Sequence, residues 1–146
     1  MGVLIDNRQK KFKVPIKTLR SKTQAVLNAL GCPDKELSMV ITDDDGIQQL
    51  NKAYLFRDRP TNVIAFPMQE GDFPHVSPDM LGDVVISAET AAREAQNAGM
   101  GFMERFDELV VHGILHLLGY DHEKNEKEAA EMRKKSIEML KAVSRL

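Results

Sequence analysis

The sequence predicts an α+β fold, and three observations carry that reading. Apolar residues recur at helical spacing in several stretches, as in Ile16, Leu19, Val26, Leu27 and Leu30. Short runs rich in valine and isoleucine, such as Val63-Ile64-Ala65-Phe66, fall between them. The two kinds of segment mix without the strict strand–helix–strand alternation of a wholly parallel α/β chain.

Taken in order, Val3 to Ile5 reads as a short strand. Pro15 suits the first turn of a helix, where its missing N–H does no harm. That helix runs to Gly31, a natural C-terminal stop. Leu37 to Ile41 is a strand, and Thr42-Asp43-Asp44-Asp45 supplies capping oxygens for a second helix carrying Ile47, Leu50 and Tyr54. Arg57 to Asn62 is turn chemistry, followed by a strand over Val63–Phe66 that Pro67 ends. Met68 to Met80 carries Gly71, Pro74 and Pro78 and reads as a loop. Leu81 to Ser87 is a further strand. Helices are expected over Ala88–Ala98, ending at Gly99, over Phe102–Leu118, ending at Gly119, and over Glu123–Val143.

At 146 residues the chain sits inside the usual size of one domain, so residues 1–146 are expected to share one core. Roughly two-thirds of the unfolded surface is buried at such a length, enough to fold without a metal or a disulfide. Cys32 is the only cysteine, which excludes an internal disulfide and fits a reducing compartment. No apolar run approaches the roughly 18 residues of a membrane span. The opening residues are too short a run for a signal peptide's core, and Asp6 breaks the myristoylation pattern, so a cytoplasmic location is expected. A net charge of −2 gives no bulk attraction to nucleic acid. The stretch between Asp6 and Asp34 nevertheless holds Arg8, Lys10, Lys11, Lys13, Lys17, Arg20 and Lys22 and no acid. Lys10, Lys11 and Lys13 are candidates for contacting RNA phosphates, the alternative being a solvated helix face.

The strongest chemical signal is His112-Gly113-Ile114-Leu115-His116, followed by Gly119 and then His122. His112 and His116 are i and i+4 on a helix, so both rings project from one face. Gly119 can take the positive φ that reverses the chain and lets His122 close a triangle. Three imidazoles supply three corners of a zinc tetrahedron and leave the fourth for water, the open arrangement of a hydrolytic site. Leu109, Val110, Val111, Ile114, Leu115, Leu117 and Leu118 make the helix largely buried, and two imidazoles in that wall need partners that a shared ion supplies together. The spacing is that of the metalloprotease helix and is distantly metzincin-like, but Gly113 stands where the general-base Glu belongs. Peptide hydrolysis is thereby weakened and metal binding is not.

His-Gly-x-x-His-x-x-Gly-Tyr-Asp-His resembles the signature of the bacterial YbeY family. Asp58-Arg59-Pro60-Thr61-Asn62-Val63-Ile64-Ala65-Phe66-Pro67 is similar to that family's second motif, and Leu81-Gly82-Asp83-Val84-Val85-Ile86 to its third. The resemblance implies a small mixed sheet packed with helices and one zinc held by His112, His116 and His122. It also implies cleavage of single-stranded RNA, maturation of the 3′ end of small-subunit (16S) rRNA, and ribosome quality control. The family usually places an Arg after the Tyr of the second motif, whereas here Leu55 follows Tyr54.

Arg57 and Arg59 are therefore the candidates for gripping a phosphate oxygen through the guanidinium fork, the alternative being an Arg-rich turn paired with Asp58. A metal that activates its own water needs no protein base, so the missing Glu costs a nuclease less than a peptidase. Asp121 is placed either to accept an imidazole N–H and orient the water, or to cap the next helix. Asp83 is expected to hold structure at the cleft, Thr61 and Asn62 to form the turn, and His75 to lie on the surface. A zinc-dependent endoribonuclease in rRNA processing leads. A ribosome-assembly or binding factor with a structural metal is the alternative, and a metallopeptidase comes third.

Overall fold

A computed structural model describes residues 2–68 and 79–144. Among them the α+β expectation holds: four strands form one mixed sheet, and five helices pack around it. The elements are β1 (Val3–Asn7), α1 (Ile16–Ala29), β2 (Glu36–Thr42), α2 (Asp44–Leu55), β3 (Val63–Pro67), β4 (Met80–Ser87), α3 (Ala88–Ala98), α4 (Phe102–Leu117) and α5 (Glu126–Val143). The order across the sheet is β1-β2-β4-β3. β1, β2 and β4 run parallel, while β3 lies antiparallel along the edge of β4.

The central strands place Met39 opposite Val84 and Ile41 opposite Ile86. All four are fully buried, on the face covered by α1, α4 and α5. The alternate residue Val85 points to the other face, where it meets Ile47 of α2 and Ile64 of β3 in a smaller cluster. The two-residue period of β4 thus feeds two cores at once.

Most sequence boundaries agree with the structure to within two residues. Asp43 is the working cap of α2, its carboxylate accepting from the Gly46 amide at 2.8 Å. Ser87 does the same for α3 through the Thr90 amide. The last helix is the exception: it starts at Glu126, not Glu123, because the Asn125 side chain accepts from the Glu128 amide at 2.8 Å and takes the capping position. The residues before it are freed to form the turn that carries His122. Apart from its ends, the loop expected over Met68 to Met80 lies outside the described residues, as does His75. Among the described residues no helix is long and apolar enough to cross a membrane.

Candidate metal centre

α4 begins where the Glu104 carboxylate accepts from the Gly101 amide at 3.0 Å. Its inward face buries Phe106, Val110, Val111, Ile114 and Leu115, which fixes its rotation on the sheet. Gly113 also faces inward. A Cβ built there would sit 2.7 Å from Val84 Cγ1 and 3.4 Å from Val63 Cγ2, so the missing side chain is what lets α4 lie this close to β3 and β4. His112 and His116 flank that contact and are only half-buried.

The helix ends in a Schellman turn. The Tyr120 amide donates to the Leu115 carbonyl and the Gly119 amide to the His116 carbonyl, both at 3.0 Å, with Gly119 at φ +97°. The reversal returns His122 to the other two rings. Candidate ligand atoms of His112, His116 and His122 all lie within 4.8 Å of one another. His112 Nε2 and His116 Nε2 are 3.0 Å apart. Two nitrogens bound to one zinc at its usual bond length lie about 3.3 Å apart, so the donor set fits such an ion.

Burial, and then the fields of His116, His122 and Arg105, pushes the His112 pKa down to about 4. Burial first and His122 second also lower His116, against Asp121 and Glu123, which raise it. The direction of both shifts favours the neutral imidazole, the form that binds metal.

A two-lobed cleft meets at these rings. One lobe, about 550 Å³, is the more polar and is lined by Leu55, Arg57, Arg59, Thr61, His116 and Glu123 among others. The second, about 540 Å³, runs between α4 and α5 over Leu109, Met132, Ile137 and Leu140. Asn62, His112 and His122 line both. Arg57 and Arg59 thus share a wall with the histidines. Asp58 pairs with neither, accepting instead from Gln48 at 3.0 Å and facing Lys52 at 3.8 Å. The buried Asn51 holds this turn: its side chain donates to the Arg59 carbonyl at 2.9 Å, and its carbonyl accepts from the Arg57 amide.

The other candidates lie differently. Asp121 accepts from the Glu123 amide at 2.9 Å, an Asx turn that shapes the loop around His122. Asp83 lies opposite Phe66 in the sheet and lines neither lobe. Within the basic segment, Phe12 lies at the start of α4, where it stacks on Phe102 at 5.4 Å. At the helical rise that is about 15 Å from His112. Part of the segment's charge is already matched: Arg8 by Asp6, Lys11 by Glu89 and Lys22 by Asp107. Lys10 and Lys13 remain exposed.

Sequence reasoning missed a polar chain beside the centre. Asn62 donates to Glu94 at 3.2 Å, Glu94 pairs with Arg105 at 2.9 Å, and Arg105 reaches Glu108 at 2.8 Å. The signal was present in part, since Arg105, Glu108 and His112 share one helical face. That Glu94 of α3 would complete the chain had no local signature.

A family model described as "Endoribonuclease YbeY" matches residues 4–144. The chain belongs to the YbeY family. An Endoribonuclease YbeY of Geobacter sulfurreducens is 54% identical over 95% of this chain and 93% of its own. That of Aquifex aeolicus is 44% identical over 93% and 89%. The solution structure of a Thermotoga maritima protein superposes with a TM-score of 0.67 at 28% identity, covering 97% of this chain and 88% of that one. His112, His116 and His122 are the residues that the fold brings together as a possible metal site.

Proposed function

We propose that this chain is a zinc-dependent endoribonuclease that cuts single-stranded RNA, with the 3′ end of small-subunit rRNA as its substrate on the ribosome, in rRNA maturation and ribosome quality control. One observation carries the reading: three imidazoles converge where two lobes of a cleft meet, and the polar lobe presents Arg57 and Arg59 without a carboxylate partner among the described residues. Membership of a family named for endoribonuclease activity supports it.

His112, His116 and His122 would hold the ion, and imidazole ligation favours zinc over harder cations. When bound, zinc activates water at neutral pH and neutralises phosphate charge. Arg57 and Arg59 bind the non-bridging oxygens of the phosphate and fix its orientation toward the histidines. Asp121 acts as a positioning residue for His122 through its turn. Lys10 and Lys13 add longer-range attraction for the RNA backbone, with Lys11 contributing less because Glu89 already faces it. Soluble, cytoplasmic action fits a substrate of this kind.

One observation favours a second reading. Leu55 is 44% exposed and lines the polar lobe, an apolar group at a wall built for phosphate. A ribosome-binding factor with a structural metal would tolerate it. The two readings separate in one experiment: metal content of the native chain and of His116→Ala, followed by mapping of product ends from matched single-stranded and duplexed RNA. About one zinc per native chain, cleavage of the single strand only, and loss of both in the variant is the expected result. Full metallation without cleavage would transfer the case to the binding factor, and cleavage by metal-free His116→Ala would end both.

A further inference from the structure

Phe56 ends α2 with φ +58°, the only non-glycine in the left-handed region among the described residues. The ends of α1, α3 and α4 meet the same geometric demand with Gly31, Gly99 and Gly119. A side chain with a Cβ is disfavoured there, and a ring this bulky more so. Packing does not compensate, because Phe56 is 89% exposed. A residue that strains the backbone and wets a large apolar ring is held for something other than folding.

Its surroundings say what. Tyr54 is 65% exposed and meets Phe66 edge-on, with ring centroids 5.6 Å apart. Leu55 and Arg57, on either side of Phe56, line the polar lobe that leads to the histidines, as does Arg59. The backbone is pinned, since the Phe56 and Arg57 amides both donate to the Asn51 carbonyl. The backbone that carries the ring is therefore fixed beside the lobe, next to arginines that no carboxylate matches among the described residues. A protein partner burying this face would have to desolvate those cations. A single-stranded polynucleotide supplies phosphates for the arginines and a flat base for the ring.

We propose that Phe56 is a stacking platform for an unpaired base of the RNA, next to the phosphate held by Arg57. This rests on the endoribonuclease reading above. The test is binding of a single-stranded 2′-O-methyl oligoribonucleotide carrying one 2-aminopurine to the native chain, Phe56→Gly and Phe56→Trp. The native chain and Phe56→Trp are expected to bind within about twofold of each other and to quench the probe at one position. Phe56→Gly is expected to bind about tenfold more weakly, without quenching. Its thermal midpoint should be no lower than the native one, because glycine removes the strain. Native binding with an indifferent Phe56→Gly overturns this inference and leaves the proposed function standing. A midpoint in Phe56→Gly below the native one also overturns it, because the ring then serves the fold. A native chain that binds no single strand overturns both. Unchanged oligonucleotide binding with lost attachment to small ribosomal subunits assigns the ring to a protein and overturns it too.

Discussion

Gly113 does two jobs that the spacing of the histidines alone did not disclose. It stands where a metalloprotease carries its general base, and its Cβ position is filled by Val84. An acid at 113 would drive into the sheet, so this site has no room for the peptidase solution. Gly113→Ala is expected to destabilise the fold by about 1–2 kcal/mol, the overpacking cost exceeding the helix propensity that alanine gains. Urea denaturation measures it, and an unchanged midpoint would mean that Val84 gives way. Arg57 makes a second prediction at this scale. Arg57→Ala is expected to weaken RNA binding and to lower the slope of log K against log salt by about 1. An unaltered slope would remove that residue from the phosphate site.

Between elements, Asp44 ties the start of α2 to the start of α3. Its carboxylate accepts from Ser87 Oγ at 2.7 Å, Thr90 Oγ1 at 2.5 Å and Arg93 Nη1 at 2.7 Å. Burial acts to raise its pKa, but the hydrogen bonds and the Arg93 charge outweigh it and hold the group below its usual value. A carboxylate depressed in the folded state contributes stability that is present above the unfolded pKa of about 3.9 and lost as pH falls through the folded value. Thermal midpoints between pH 6 and pH 2.5 should therefore fall more steeply for the native chain than for Asp44→Asn, which starts lower. Parallel curves would show that the tie contributes nothing. The element pattern was legible because the periods of α1, α4 and β4 are clean, and the caps Asp43 and Ser87 sit where capping residues are expected. The direction of β3 was not legible, since a valine-rich run pairs equally well either way. The start of α5 was missed because Glu123 continues its charge pattern, while the Asn125 cap depends on a side-chain torsion. The convergence of the three histidines was readable because i, i+4 and a glycine turn are local geometry. The Asn62–Glu94–Arg105 chain joins three elements and was not.

For the molecule as a whole, the main core is built from Leu19, Leu27, Met39, Ile86, Phe106 and Ile114, none of which is a candidate ligand. Chelation is thus expected to leave the far-ultraviolet circular dichroism unchanged while lowering the thermal midpoint, by the equivalent of about 2.7 kcal/mol at free metal 100-fold above Kd. Loss of helical signal on chelation would mean that the metal organises the fold. The three candidate ligands all fall between positions 112 and 122, and α5, one wall of the apolar lobe, follows them in the chain. During synthesis all three candidate ligands therefore leave the ribosome before the last helix does. An unfolded chain holds the same ligands at the same short separation, so metal capture need not wait for folding. Affinity for the unfolded state subtracts from the stabilisation that the folded site gains. Metal capture by these histidines would then precede completion of the fold rather than follow it.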